Sequence, residues 1–328
     1  MAVKQYIEAI HDAIREEMSQ DPRVFVLGED VGVRGGVFRV TAGLIEEFGE
    51  HRVIDTPLAE SAIVGVAIGA AMAGMAPIAE IQFADFIMPA VNQIISEAAK
   101  LRYRSNNDWH CPLVVRAPYG GGVHGALYHS QSVEAIFSHV PGLKIVTPST
   151  PYDAKGLLRA AIRDPDPVLF FEHKKLYRLV KQEVPDEAYQ IPLGKAAFRR
   201  KGDDLTVISY GYALHLVLEA ARMLEEQEGI SCSVLDLRTL RPLDEQAILE
   251  AATQTGKVLI VHEDNKVSGI GAEVSALIAE KALFDLDAPI RRLAGPEVPA
   301  MPFSPPLEHA YMLSVDKVAQ AMRELARF

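Results

Sequence analysis

The chain has 328 residues, 49% of them hydrophobic, and a formal net charge of −11. That length accommodates two domains with separate cores, and that composition excludes a disordered chain. The charge argues against nonspecific binding to nucleic acid or anionic membrane. The two distant cysteines, Cys111 and Cys232, lack Cys-x-x-Cys spacing and read as inert buried thiols.

Residues 1–16 read as an amphipathic helix, with Val3, Ile7, Ile10, Ile14 and Met18 at helical spacing and acids along it, unlike a signal or transit peptide. A buried strand is expected over 24–27, followed by the glycine-rich loop 28–36. That loop fits neither the dinucleotide-binding nor the P-loop pattern, and its Glu29 and Asp30 would repel a phosphate. It reads instead as a flexible loop at the carboxyl end of a strand, where open α/β sheets bind ligands.

Glu60 follows the turn-forming pair Thr56-Pro57 and opens the charge-free, glycine- and alanine-rich stretch 62–79. An acid in a first helical turn is favoured by the macrodipole, so capping alone accounts for a Glu there. The stretch is interrupted by Pro77 and falls short of the ~20 residues of a membrane span. Gly65 and Gly69 share a face that admits close helix approach, which predicts a buried helix at a tight interface. A strand over 77–81 and a long helix over 84–104 come next. Gln82, Phe83 and Phe86 fall near the ligand edge of the sheet; Phe86 suits stacking on a flat heteroaromatic ring, and core packing is the commoner use of Phe.

After a strand over 113–115, the loop 119–132 holds Gly120, Gly121 and Gly122 with His124 and His129. Such a loop suits a mobile lid carrying groups that titrate near neutrality, or equally a loop with two solvated histidines. A strand over 144–147, a helix over 152–162 and a strand over 168–171 follow. Residues 161–167 form a helix C-terminus with free carbonyls, Asp164 and Asp166, a set able to hold a hard cation or simply to form a rigid turn. This alternation implies parallel βα units in an open doubly wound sheet, an α/β fold. Residues 174–204 are charged, contain Pro185 and Pro192, and read as an interdomain connection. A second α/β set has strands over 205–209, 233–237, 258–261 and 290–293, with helices over 213–227, 244–253, 272–282 and 315–326. His262-Glu263-Asp264 has no catalytic spacing.

Taken in order, Leu27-Gly-Glu-Asp-Val, Arg34-Gly-Gly-Val-Phe, Asp55-Thr-Pro-Leu-Ala-Glu60, Ala79-Glu-Ile-Gln-Phe83, Arg102-Tyr-Arg104, Gly120-Gly-Gly-Val-His124, the segment 148–157, Leu235-Asp-Leu-Arg-Thr and Thr255-Gly-Lys match one family. Over nearly its whole length the chain resembles the beta subunit of the thiamin diphosphate-dependent decarboxylating component of 2-oxo acid dehydrogenase complexes. The segments 84–89, 97–105 and 124–132 look more like the branched-chain enzyme than the pyruvate enzyme. The resemblance implies a pyrimidine-binding doubly wound domain over 1–180, a linker over 181–203 and a transketolase C-terminal-type α/β domain over 204–328.

It also implies roles. Glu60 would be the carboxylate that hydrogen-bonds the cofactor's aminopyrimidine, with Leu58, Gln82 and Phe86 on the cofactor side. His129 would handle protons or orient the acyl intermediate during transfer to a lipoyl arm, with His124 the poorer candidate. Carbonyls of Leu113, Ala161, Ile162, Asp164 and Asp166 would correspond to a potassium site, Asp166 standing where relatives often have Asn. The Gly-Asp-Gly segment that anchors magnesium and diphosphate in the family is absent; Gly202-Asp203-Asp204 is not one and precedes a strand. The expectation is therefore half an active site, completed by an alpha subunit in an α2β2 heterotetramer that holds most of the Mg2+. The lipoyl domain and core of a dihydrolipoyl acyltransferase are the further partners expected. The alternatives are a pyruvate or acetoin dehydrogenase beta subunit, and a noncatalytic scaffold docking the alpha chain. The N-terminal sequence suggests the bacterial cytoplasm, or the mitochondrial matrix for a processed chain.

Overall fold

Parallel strands covered on both faces read as near-continuous apolar runs, and six parallel strands build the sheet of the first half of this chain. The computed structural model describes residues 1–328. It divides into two units: Met1–Tyr119 with Ile136–Leu193, and Gly120–Ala135 with Gly194–Phe328.

The first unit contains β1 (Ala2–Gln5), β2 (Val24–Gly28), β3 (Val53–Asp55), β4 (Ala76–Glu80), β5 (Val114–Tyr119), β6 (Lys144–Val146), β7 (Val168–His173) and β8 (Lys181–Val184). Strands β2 to β7 share a sheet in the order β6-β7-β5-β4-β2-β3, every pair parallel. The chain leaves β2 for β3 on one side and returns to β4 on the other. The strand order therefore reverses at β2, where open α/β sheets form a crevice beyond the carboxyl ends. Register places Gly28 beside both Asp55 and Glu80 at that edge.

A buried ion network ties the same edge together. Arg116 of β5 is fully buried. Its Nη1 donates to Glu80 Oε2 (2.6 Å), its Nε to Glu172 Oε1 (2.6 Å) and its Nη2 to Glu172 Oε2 (2.8 Å). The Tyr177 hydroxyl donates to Glu172 Oε2 at 2.7 Å. Burial pushes the Glu80 carboxyl above its ordinary value although Arg116 lies beside it.

Three local expectations differ from the structure. The first helix begins at Tyr6 and runs to Gln20, while Ala2–Gln5 is extended and pairs antiparallel with β8. Gln5 and Glu8 form a capping box that starts the helix there, so the helical spacing of Val3 is incidental. The expected long helix over 84–104 is broken into a 3-10 segment Ala84–Ala90, a π segment Asn92–Glu97, a 3-10 turn Ala98–Lys100 and a short α segment Leu101–Arg104. Pro89 lies inside the first piece, and a proline ring removes a donor and clashes with the preceding turn. The charged stretch read as a connection contributes β8 and then a strand over Ala197–Arg200. Buried Lys155 holds it by donating to the Pro185 carbonyl at 3.0 Å.

The second unit contains β9 (Ala197–Arg200), β10 (Leu205–Ser209), β11 (Cys232–Asp236), β12 (Thr239–Arg241), β13 (Val258–Asn265) and β14 (Arg291–Gly295). One sheet runs β14-β13-β10-β11-β9, parallel except for the edge strand β9. The helices Gly211–Glu228 and Val315–Ala326 bury Leu214, Val217, Val318 and Met322 against β10 and β13.

Replacing Arg116 by Met leaves two buried carboxylates without their cation. The expected loss is about 3–5 kcal/mol of stability, measured by urea unfolding. Replacing Arg116, Glu80 and Glu172 together by apolar residues of similar volume should cost less than the single change.

Candidate active site

Three connections meet at the crevice where the strand order reverses, and each carries a polar side chain. Glu29 directly follows β2. The chain beyond β3 turns through Thr56-Pro57 into the helix Glu60–Met72, whose first residue is Glu60. Gln82 follows β4. Glu29 and Glu60 are each 9% exposed. Burial raises the Glu29 carboxyl above its ordinary value, and the neighbouring Glu60 and Asp30 carboxylates raise it further. The Gln82 side-chain amide donates to the Glu29 carbonyl at 3.5 Å, spanning the crevice. The helix carries no side-chain cap, because Ala59 stands at the cap position. Glu60 enters none of the chain's ion pairs, so its carboxylate is buried beside another acid without a compensating cation.

An aromatic wall adjoins these groups. The Phe83 ring meets Phe38 edge-on at 5.4 Å and Phe86 at 5.9 Å, and the Lys174 ammonium lies 5.7 Å from the Phe83 centroid. The segment bearing Phe86 is tied to the start of the Glu60 helix, since the Ser61 hydroxyl donates to the Pro89 carbonyl at 2.6 Å. Leu58 is 78% exposed on the turn before Glu60. Gly36 has a φ of +80°, and a Cβ there would stand 3.0 Å from Glu80 Oε1, so only glycine suits this loop.

A buried carboxylate, a second carboxyl whose pKa burial raises, an amide and aromatic faces suit the aminopyrimidine half of thiamin diphosphate. They do not suit its diphosphate: the loop after β2 presents Glu29 and Asp30, and Gly202-Asp203-Asp204 leads into β10 rather than leaving a strand.

The residues expected at a cation site cluster at the opposite, amino-terminal edge of the first sheet. There Lys144 Nζ lies 2.5 and 2.7 Å from the Asp164 carboxylate oxygens and 3.5 Å from Asp166 Oδ2. Arg102 Nε donates to Asp166 Oδ1 at 2.5 Å. The Leu113 carbonyl accepts from the Val168 amide, and the Ala161 carbonyl from the Asp164 amide. Ile162 ends the helix Pro151–Ile162 between them. Both carboxylates are thus already neutralised by side chains, leaving carbonyl oxygen as the donor a cation would meet. No group of three or more His, Cys, Asp or Glu side chains is arranged to hold a metal ion.

His129 lies in the second unit, on the loop Gly120–Ala135. Two acids of that unit grip the loop, Glu263 through the Gly121 amide and Glu308 through the amides of Gly122 and His124. Beneath it, burial pushes the Glu134 carboxyl well above its ordinary value, with the Asp264 carboxylate adding to the effect; Glu134 accepts from the Tyr210 hydroxyl at 3.0 Å. Burial likewise pushes Asp264 up to about 6. His262 is pushed down to about 4 by burial, and its Nε2 accepts the Gly271 amide at 3.2 Å, a neutral structural histidine.

Residues 3–180 match the transketolase pyrimidine-binding domain, and residues 194–318 the transketolase C-terminal domain. The chain is 70% identical over 328 residues, all of both chains, to the 2-oxoisovalerate dehydrogenase subunit beta of Bacillus subtilis (strain 168). The chain belongs to the 2-oxo acid dehydrogenase beta-subunit family. It is 48% identical, again over the full length of both chains, to the pyruvate dehydrogenase E1 component subunit beta of the same bacterium. Among solved structures, a split-gene transketolase described as an inactive beta4 tetramer has the same fold, with a TM-score of 0.79 at 24% identity over 98% of each chain.

Sequence reasoning missed Glu29 as a neighbour of Glu60, treating it only as a phosphate-repelling charge. Its place immediately after a wholly apolar strand was the available signal. Glu308 gave no signal, since its contacts span 184 and 186 positions of chain.

The Asp264 shift yields a pH prediction. The folded chain holds that proton more tightly than the unfolded chain, whose carboxyl titrates near its ordinary 3.8. The associated stability is complete below about pH 3.8 and is lost as pH rises through about 6. Asp264→Asn should therefore match the parent near pH 4 and exceed it by about 1–3 kcal/mol near pH 8. A melting-temperature difference that fails to grow with pH would contradict this.

Proposed function

We propose that this chain is the beta subunit of a branched-chain 2-oxo acid dehydrogenase, active with an alpha subunit in oxidative decarboxylation and reductive acylation of a lipoyl group. The observation that carries the reading is the crevice at the strand reversal, where Glu60 is buried beside Glu29, Gln82 and an aromatic wall. When bound, thiamin diphosphate supplies a carbon nucleophile for the 2-oxo group and an electron sink for the pair left by carbon dioxide.

Glu60 would hold the aminopyrimidine ring nitrogen through a charge-assisted hydrogen bond, accepting from its proton-bearing form. Glu29 sets a second carboxyl, its pKa raised by burial, beside Glu60. Gln82 and Phe86 orient the ring, with Leu58 on the turn beside it. His129 would handle protons or orient the acyl group as a lipoyl arm is acylated. Magnesium and the diphosphate are held mainly by the alpha subunit in an α2β2 assembly, which docks a dihydrolipoyl acyltransferase. A potassium ion, where present, engages the carbonyls of Leu113, Ala161, Ile162, Asp164 and Asp166 rather than their carboxylates.

The identity to the 2-oxoisovalerate relative, 70% against 48% to the pyruvate relative, supports the branched acid as substrate. The 70% identity to a bacterial protein, against 50% to the mitochondrial one of Dictyostelium discoideum, supports a bacterial cytoplasmic setting. No helix is long and apolar enough to cross a membrane.

The test is Glu60→Gln, assembled with the cognate alpha chain and assayed for decarboxylation with an artificial electron acceptor. The rate should fall about 100-fold or more. A rate within twofold of the parent would favour a docking scaffold. The parent mixture should turn over 3-methyl-2-oxobutanoate faster than pyruvate, and the reverse preference would overturn the substrate assignment.

A further inference from the structure

The loop that carries His129 holds two non-glycine residues in left-handed conformations. His124 and Ala126 have φ values of +58° and +54°, left-handed conformations that are costly for non-glycine residues. Such a conformation persists only where surrounding structure over-determines it. At His124 the contact that does so is with Glu308, a carboxylate 2% exposed on the short helix Pro305–Tyr311. Its Oε1 accepts the amides of Gly122 (3.1 Å) and His124 (3.2 Å), and its Oε2 stands 2.5 Å from His124 Nδ1. One buried carboxylate thus binds two backbone amides two residues apart and a loop side chain.

The rest of the loop is closed upon that anchor. The Gly120 amide donates to the Gln131 carbonyl at 3.0 Å, joining the two ends. A Cβ at Gly125 would stand 2.6 Å from the His129 carbonyl, so residues 125 and 129 touch through backbone. A Cβ at Gly121 would stand 2.5 Å from Met301 Cε, so the glycine run is pressed against Met301 within the second unit. Fixing Gly122 and His124 therefore fixes the turn that presents His129. Glu308 is too deeply buried to meet a lipoyl group or a 2-oxo acid, and any influence on the reaction passes through the loop.

We propose that Glu308 is a positioning residue for acyl transfer, a buried clamp that holds the histidine loop in one conformation. The proposal rests on the reading of His129 given above. It makes His124 a structural partner of Glu308, which explains two histidines in one loop with separate duties.

The experiment uses the full chain assembled with its alpha subunit, in the parent, Glu308→Gln, Glu308→Ala and His129→Ala forms. Amide hydrogen exchange of Gly122 and His124 should quicken about tenfold or more in Glu308→Ala, while the Gly121 amide, held by Glu263, changes less. Glu308→Gln keeps an acceptor oxygen and the side-chain volume, so it should lie between parent and Ala and rescue most of the protection. In the same variants kcat/KM toward a lipoyl domain should fall about tenfold for Ala and less for Gln, with artificial-acceptor decarboxylation within twofold of parent. Should the Ala variant fail to fold, the Gln variant decides alone, through a measurable rise in exchange and fall in lipoyl acylation. Unchanged exchange at Gly122 and His124 overturns the clamp. Faster exchange with undiminished lipoyl acylation overturns the positioning role; if His129→Ala is then also without effect, the underlying reading of His129 has failed, and if His129→Ala is defective, the clamp proposal alone has failed.

Discussion

Arg116 is the cation on which the ligand edge of the first sheet depends. It reaches from β5 to Glu80 at the end of β4 and to Glu172 near the end of β7, so three parallel strands end in a fixed relation. Register then carries that relation to Gly28 and Asp55, and so to the connections that deliver Glu29 and Glu60. Buried ion networks gain little net stability over apolar packing, because desolvation offsets their attraction. What this one contributes is placement: the crevice lies immediately beyond the strands it pins.

The crevice itself is an electrostatic arrangement with its compensating charge left out. Glu60 and Glu29 are buried side by side without a cation, which raises the Glu29 carboxyl. An isolated protein has no reason to hold two acids so. A ligand that offers a protonated ring nitrogen supplies the missing partner, and a diphosphate would aggravate the repulsion. On the proposed reading, that charge pattern would assign the aminopyrimidine end of the cofactor to this chain and the diphosphate end to a partner, in keeping with the absence of a Gly-Asp-Gly segment.

Much of this was legible in the sequence, and the exceptions have physical reasons. Apolar runs separated by helical periods mark a parallel sheet, and an acid between a Thr-Pro turn and a small-residue helix marks Glu60. The long helix expected after β4 fails at Pro89, where lost hydrogen bonding outweighs periodicity. The extended Ala2–Gln5 segment depends on pairing with β8, a contact 176–182 residues away in sequence that no local pattern encodes. The histidine loop is legible as a loop, yet its attachment to the second unit through Glu263 and Glu308 is long-range and invisible to spacing. The carboxylates of Asp164 and Asp166 are legible as cation donors only until Lys144 and Arg102 are seen to occupy them.

The central claim is that this chain supplies the carboxylate and aromatic half of a cofactor site and lacks the other half. Calorimetric titration of thiamin diphosphate with magnesium into the chain alone, the alpha chain alone and the assembled mixture addresses it most directly. The account predicts tight binding in the mixture and binding at least about 100-fold weaker to this chain alone, a loss equal to about 2.7 kcal/mol. Equally tight binding to the isolated chain would contradict it, and would place the diphosphate site within these 328 residues.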